Sequence, residues 1–284
     1  IQGSTWPTQP PYFALSSGTS TGNTKYLPVN GELLASHRSA ALCLFGSLWA
    51  THPELPLLQG RLFFLGGSTD LASLGAGIRS GDLSGIVASE TPAWLRPFTW
   101  PPLHLALLKN WDSKIRALAR SSLNERITLL AGVPSWLMVL IEEAKTASGQ
   151  HSVTDIWPEL KVLVHGGVCF EPYRLWFARE LPTHVIRAET YPSSEAFVAF
   201  EDLRYRHLRL VPDHGIFFEF VPRGELGQAR PSRHTLRDFE LGVDYAIVLT
   251  TCAGLWAYVL GDVVRFERRH PPLLRFVGRT TGYL

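Results

Sequence analysis

Tyr12-Phe13-Ala14-Leu15-Ser16-Ser17-Gly18-Thr19-Ser20-Thr21-Gly22-Asn23-Thr24-Lys25 is the stretch on which the reading of this chain turns. Its apolar head, residues 12–15, predicts a short strand. Its tail, residues 16–25, packs together six hydroxyls, two glycines and one lysine. Glycine lets backbone approach a ligand closely and take positive φ. Successive free N–H groups then form a concavity that binds anions. The hydroxyls add donors, and Lys25 adds a point charge. Hydrogen bonds to a charged phosphate contribute about 1.5–3 kcal/mol each, so a loop of this composition is suited to a polyphosphate.

Other readings of the loop are weaker. A Walker A motif counted from Gly18 needs a glycine where the chain has Asn23 and a lysine where it has Thr24. Gly18-Thr19-Ser20-Thr21-Gly22 matches the GxSxG elbow of serine hydrolases, with Ser20 as nucleophile. That elbow requires a helix directly after the serine, and Pro28 among β-prone neighbours argues against one. A polar surface turn is the plainest alternative.

Outward from the loop, residues 26–29 read as extended and 32–50 as a long apolar-periodic helix. Residues 62–65 form a buried strand, and 66–100, rich in Gly, Ser and Pro, read as irregular with short helices. A helix at 112–119 takes Asp112 as its N-cap. Then come a strand at 127–130, a helix at 134–147 with Pro134 in its first turn, and a strand at 160–164 running into Gly166-Gly167. A helix at 173–180 and a strand at 185–188 follow. This alternation implies crossovers and a largely parallel sheet. After residue 197 short strands succeed one another at 197–200, 216–221, 245–250, 263–267 and 274–277, which predicts a smaller antiparallel section. The expected fold class is therefore α/β, with an α/β core over 1–200 and a β-rich subdomain over 201–284.

Composition narrows the function classes. The chain has 284 residues, 45% hydrophobic and 18% charged, which predicts a substantial core. Its net charge is 27 − 25 = +2, which gives no electrostatic mandate for nucleic acid. Cys43, Cys169 and Cys252 form no CxxC pair; they read as reduced, buried thiols in a cytoplasmic setting. The histidines show no zinc-ligand spacing. The start, Ile1-Gln2-Gly3-Ser4, has no secretory character. The most apolar stretch, 127–141, is broken by Gly132-Val133-Pro134 and falls short of the ~20 residues a membrane span needs. The first residue is not Met and the last are Gly282-Tyr283-Leu284, so we expect a fragment of a longer protein.

The stretch 12–25 resembles the phosphate-loop motif of the Gretchen Hagen, or auxin-responsive, acyl-acid amido synthetases. These belong to the adenylate-forming superfamily that also holds acyl-CoA synthetases and firefly luciferase. Five further segments are similar, in the family's order. They are Gly132-Val133-Pro134-Ser135-Trp136, Glu189-Thr190-Tyr191-Pro192-Ser193-Ser194-Glu195, the following strand at residues 213–220, residues 250–264 with Tyr258-Val259-Leu260-Gly261-Asp262 at their centre, and Phe276-Val277-Gly278-Arg279 at the hinge entry.

The resemblance implies the large N-terminal-type domain of an adenylate-forming enzyme without its C-terminal mobile domain. It implies ATP and Mg²⁺ as cofactors, and a small carboxylic acid and an amino acid as partners, with neither nucleic acid nor membrane. By the same likeness Ser16, Ser17, Gly18, Thr19, Ser20, Gly22 and Lys25 would hold phosphates. Gly166 and Gly167 would admit adenine, and Tyr191 would stack on it. Thr190 and Ser194 would bond phosphate or sugar, Glu195 would hold Mg²⁺, and Asp262 would accept from the ribose hydroxyls. Arg279 would touch ribose or phosphate, with a solvated surface role as the alternative. Val133 and Trp136 would wall the acyl pocket, with plain core packing as the alternative. His165 and His214 read as structural. Two departures stand out: Val259 where the family often has Arg, and Ala196 where it has Gly. The implied activity is acyl-adenylate formation followed by amide formation. A serine hydrolase or a non-catalytic ATP-binding remnant are the competing classes.

Overall fold

The computed structural model describes residues 6–7, 9–17, 24–67 and 71–280. In chain order, strands β1 (Tyr12–Ser17) and β2 (Thr24–Val29) precede helix α1 (Gly31–Thr51). β3 (Arg61–Leu65), β4 (Ala72–Gly75), β5 (Ile78–Gly81), α2 (Leu83–Ser89), β6 (Thr99–Trp100) and α3 (Leu103–Ala106) follow. The alternating part continues with α4 (Trp111–Ser122), β7 (Ile127–Gly132), α5 (Pro134–Ser148), α6 (Val153–Ile156), β8 (Val162–Gly166), α7 (Arg174–Glu180) and β9 (Ile186–Pro192). The last strands are β10 (Phe197–Asp202), β11 (His207–Leu210), β12 (Ile216–Pro222), β13 (Asp244–Thr251), β14 (Tyr258–Arg268) and β15 (Leu273–Arg279). These elements form two compact units, one of residues 52–74 and 79–190, the other of residues 1–51, 75–78 and 191–284.

The first unit is built on parallel strands in the order β6-β3-β7-β8-β9. β8 is buried along its whole length, which is why Val162-Leu163-Val164 reads as an unbroken apolar run and not as an alternation. Leu130, Leu137, Leu140, Ile141, Leu163 and Phe177 meet in its core. Burying each such side chain contributes about 1.5–3 kcal/mol. α5 opens on Pro134, whose missing N–H is no loss at a first turn. The cap of α4 is Asn110, not Asp112: the Asn110 side chain accepts from the Ser113 N–H at 2.8 Å. Asp112 lies one residue inside the helix, where its charge complements the dipole. Both residue types cap well, and the apolar period alone does not choose between neighbours two apart.

The second unit holds an antiparallel run in the order β10-β11-β15-β14-β13-β12. Its core is aromatic: Phe266 stacks on Phe239 at 3.9 Å between centroids and meets Phe220 edge-on at 4.8 Å. β1 and β2 form a hairpin in the same unit. Asn30 then starts α1 by accepting from the Leu33 N–H at 2.9 Å, while its amide donates to the Cys252 carbonyl at 2.7 Å. One side chain thereby fixes both the helix start and its attachment to the β13–β14 turn. β11 is a strand that the sequence pattern lacks; its His207-Leu208-Arg209-Leu210 alternation spans only two apolar positions.

The thiols differ from expectation. All three cysteines are free, but Cys43 and Cys169 are exposed and Cys252 is half-buried. Cys43 falls on the outer side of α1 and Cys169 on the turn after β8, so apolar neighbours in sequence were no guide to burial. Among the described residues, no helix is long and apolar enough to cross a membrane.

Candidate functional site

The β1–β2 ladder sets Ser16 opposite Lys25 and Ser17 opposite Thr24. Residues 18–23 therefore join the two strands. Gly18, Thr19, Ser20 and Gly22 lie there, outside the described residues. The element that follows is β2, a strand, so the strand–turn–helix geometry that a GxSxG elbow requires is missing. Ser16 is half-buried.

Lys25 leaves the hairpin and donates through Nζ to the Tyr258 hydroxyl at 3.2 Å. Tyr258 also faces the Glu195 carboxylate. Burial pushes the Tyr258 phenol up, the Lys25 hydrogen bond opposes this, and the Glu195 charge adds to the rise. Glu195 is 7% exposed. It is presented by a turn that Ser193 holds shut: the Ser193 N–H donates to the Ala196 carbonyl at 2.8 Å, and the Ala196 N–H donates to Ser193 Oγ at 3.1 Å. Ser194 sits half-buried in that turn.

The Tyr191 hydroxyl donates to Asp262 Oδ2 at 2.6 Å, and Arg279 Nε lies 3.3 Å from Asp262 Oδ1. The pairing of β14 with β15 sets Asp262 directly across from Arg279. Tyr191 meets Phe276 edge-on, with centroids 6.0 Å apart. Burial raises the Asp262 carboxyl, while Tyr191 and Arg279 pull it back down. Tyr191 is held well above its ordinary phenol range, by burial first and then by the Asp262 charge, with Glu195 contributing. Tyr191 is thus a protonated donor at neutral pH. One unit therefore gathers Lys25, Tyr258, Glu195, Tyr191, Asp262 and Arg279.

The remaining candidates belong to the parallel unit. Gly166 ends β8 beneath Thr190: a Cβ there would stand 2.3 Å from the Thr190 carbonyl oxygen, so no larger residue fits without moving β9. Gly167 takes φ +82°. The Thr190 hydroxyl donates to the His165 carbonyl at 3.1 Å, so its proton is committed to the main chain. Val133 precedes α5 and approaches Gly167, and Trp136 lies against Trp111 with centroids 5.1 Å apart. Trp136 also borders the core, so it both packs and lines the end of the sheet.

Two features escaped the sequence reading. Tyr258 heads a quoted motif but was given no role; an aromatic hydroxyl beside a lysine and a glutamate becomes legible only once the strands are placed. The second is buried Lys114, with the half-buried Asp82 near enough to feel its charge, in the parallel unit. Lys114 is 1% exposed and donates to the Gly67 carbonyl at 2.5 Å and the Ala106 carbonyl at 2.7 Å. Burial lowers its ammonium and raises the Asp82 carboxyl, and the attraction between the two opposes both shifts. Nothing in the spacing of residues 82 and 114 announces this.

The donor set suits Mg²⁺ only in one way. Among the described residues no group of three His, Cys, Asp or Glu side chains could cage an ion. A single carboxylate, Glu195, fits an ion that takes most of its oxygens from substrate phosphates and water.

A hairpin, a parallel sheet and an antiparallel section, in this chain order, make up the fold of the adenylate-forming enzymes. The chain superposes on an acyl acid amido synthetase, AtGH3.15 in complex with 2,4-DB, with TM-score 0.72 and 17% identity, covering 95% of this chain and 56% of that one. It also superposes on 2-hydroxyisobutyryl-CoA ligase in an open conformation with 2-HIB-AMP and CoA, with TM-score 0.59 and 13% identity, covering 94% of this chain and 56% of that one. Residues 72–184 match the GH3 family N-terminal domain and residues 209–279 the GH3 family central domain; the chain belongs to the GH3 family. Indole-3-acetic acid-amido synthetase GH3.8 of Oryza sativa subsp. indica is 28% identical over 194 residues, which cover 60% of this chain and 31% of that protein. Jasmonoyl--L-amino acid synthetase JAR4 of Nicotiana attenuata is 41% identical over 73 residues, covering 25% of this chain and 12% of that protein. The chain thus covers 31% or less of these two relatives and just over half of the two solved structures.

Proposed function

We propose that the intact protein carrying this chain is an ATP-dependent, AMP-forming ligase. It adenylates a small carboxylic acid and passes the acyl group to the amine of an amino acid. The observation that carries this reading is the grouping of Lys25, Tyr258, Glu195, Tyr191, Asp262 and Arg279, from four separate stretches of chain, in one unit.

In the first half-reaction the substrate carboxylate oxygen attacks the α-phosphorus of ATP, the bond to the β-phosphate oxygen breaks, and pyrophosphate leaves. In the second, the amine attacks the acyl carbon, AMP departs with the bonding electrons, and the amine loses a proton. Such displacements gain most from positioning and charge neutralisation. Lys25 and the 16–25 hairpin, including Ser16, Ser17, Gly18, Thr19, Ser20 and Gly22, would hold the phosphates. Tyr258 orients Lys25 towards Glu195. Tyr191 would offer its ring to adenine, and Gly166, Gly167 and Thr190 are the nucleotide-binding candidates of the parallel unit. Asp262 would take the ribose hydroxyls, with Arg279 and Ser194 adjoining. Val133 and Trp136 would wall the acid. A Mg²⁺ held through Glu195 would neutralise phosphate charge. We place the protein in the cytoplasm, with no nucleic-acid or membrane partner and with a C-terminal domain completing the site, and we take 1–200 and 201–284 as its core and β-rich parts.

The test is carboxylate-dependent pyrophosphate exchange into ATP by the intact protein over a panel of acids. Exchange is expected with at least one acid and should fall at least a hundredfold in Glu195→Ala, in line with about 10²–10³ for loss of one charge-stabilising group. Undiminished exchange in that variant would remove Glu195 from the mechanism.

A further inference from the structure

The proposed mechanism leaves His165, a polar side chain at the end of β8, without work. It is 4% exposed, and its Nδ1 is enclosed with no hydrogen-bond partner among the described residues. Buried polar atoms are nearly always paired, and a lone one points to a role or a missing partner. Its place in the sheet is specific. β7 and β8 pair in parallel with Gly132 opposite His165, and β8 and β9 pair with His165 opposite Glu189. The residue therefore stands between two of the quoted segments, at the carboxyl ends of the strands, where ligands of parallel sheets bind.

Side chains alternate along a strand. His165 consequently points to the same face as Leu163, which belongs to the core beneath α5. The surroundings there are aromatic. Phe170 stacks on the imidazole at 3.7 Å and 12°, and Trp136, Trp111 and Tyr173 pack on the same core. Gly167, Val168 and Cys169 are exposed and Phe170 is half-buried, so the ring covering His165 is carried by a turn at the surface. Burial and the nearby Arg187 charge lower the imidazole to about 4, which keeps the ring neutral, with one nitrogen free to accept.

We propose that His165 is a specificity-determining residue of the acyl site, its Nδ1 accepting a hydrogen bond from a hydroxyl, amino or ring N–H group on an aromatic carboxylic acid. The inference rests on the adenylation reading and names the class of acid that reading leaves open. The acid's ring lies among Phe170, Trp136 and Val133, and its polar hydrogen supplies the partner that Nδ1 lacks.

Pyrophosphate exchange by the intact protein is measured with matched acids, hydroxyphenylacetate against phenylacetate and aminobenzoate against benzoate. The wild type should favour the donor-bearing member by about tenfold or more in kcat/KM, since a site built around a hydrogen bond rejects the analogue lacking it. His165→Leu should bring that ratio close to one by lowering kcat/KM for the donor-bearing acid more than for the plain one. His165→Asn, whose amide oxygen reaches the Nδ1 position, should restore the preference. His165→Gln, which reaches the other nitrogen's position, should not, and it serves if the leucine variant fails to fold. A ratio that His165→Leu and His165→Gln leave unchanged, or an equal loss with every acid, overturns the proposal. Exchange with no acid at all in the wild type would instead sink adenylation itself, and this inference with it.

Discussion

His37 should make this protein lose stability as the pH falls from 6.5 to 4. It lies on α1, is 8% exposed, and its Nε2 has no hydrogen-bond partner among the described residues. Burial lowers its imidazole from 6.5 to about 4. A folded-state value below the unfolded one means stability that is complete above pH 6.5 and is lost as pH falls through 4. The shift is 6.5 − 4 = 2.5. At 1.36 kcal/mol for each unit, the loss is about 3 kcal/mol. Asp202 and Asp244, lowered by their arginine partners, lose their contribution only below the ordinary carboxylate value of 3.8. Asp82 and Asp262, raised by burial, act in the opposite sense but are common to wild type and variant and cancel in the difference. The assay is urea unfolding of wild type and His37→Leu at pH 7, 6, 5 and 4, followed by far-UV circular dichroism and tryptophan fluorescence. Relative to the variant, the wild type should lose about 3 kcal/mol across that range, with a limiting slope of about 1.4 kcal/mol per pH unit. Parallel curves over pH 7–4 would show that the imidazole is not buried neutral, and the reasoning would fail.

Gly166→Ala should destabilise by about 1–3 kcal/mol, because the new methyl meets a main-chain oxygen of Thr190 and not a movable side-chain tip; the urea midpoint reads it, and an unchanged midpoint would mean the β8–β9 ends are looser than described. Lys114→Met should cost about 1–3 kcal/mol for each buried carbonyl it strands, and it also removes the attraction that offsets the burial of Asp82. Adding Asp82→Asn should recover part of that loss, which a double-mutant cycle by urea denaturation measures.

Much of the fold was legible because the parallel unit obeys local rules. β7 and β8 announce themselves as apolar runs and α5 by Pro134 after a strand, whereas β9, which runs through Arg187 and Glu189 to Pro192, was legible only at its start. The hairpin at 12–29 was legible as two extended pieces around a polar loop. Hidden features depend on partners remote in sequence. β11 is short, and its alternation is shared by many exposed segments. The Asn110 cap differs from Asp112 by two positions that carry equal propensity. Exposure of Cys43 and Cys169 is a property of which side of an element faces solvent, and no thiol spacing encodes it.

The site divides in the same way. Residue types told what each motif could bind, but not what each side chain already holds. Asp262 is the instructive instance. Its two oxygens are engaged, one by the Tyr191 hydroxyl and the other by Arg279. The Arg279 contact follows from register: β14 and β15 set residues 262 and 279 face to face, and Gly261 leaves room for the guanidinium, since a Cβ there would come within 3.3 Å of Arg279 Nη2. An ionised carboxylate has about four acceptor sites, so a ribose offering two hydroxyls to Asp262 would add to the Tyr191 and Arg279 contacts instead of displacing them. The carboxylate that would anchor the sugar and the aromatic that would hold the base are already joined by one hydrogen bond, and on the proposed reading a nucleoside would enter an arrangement set before it binds.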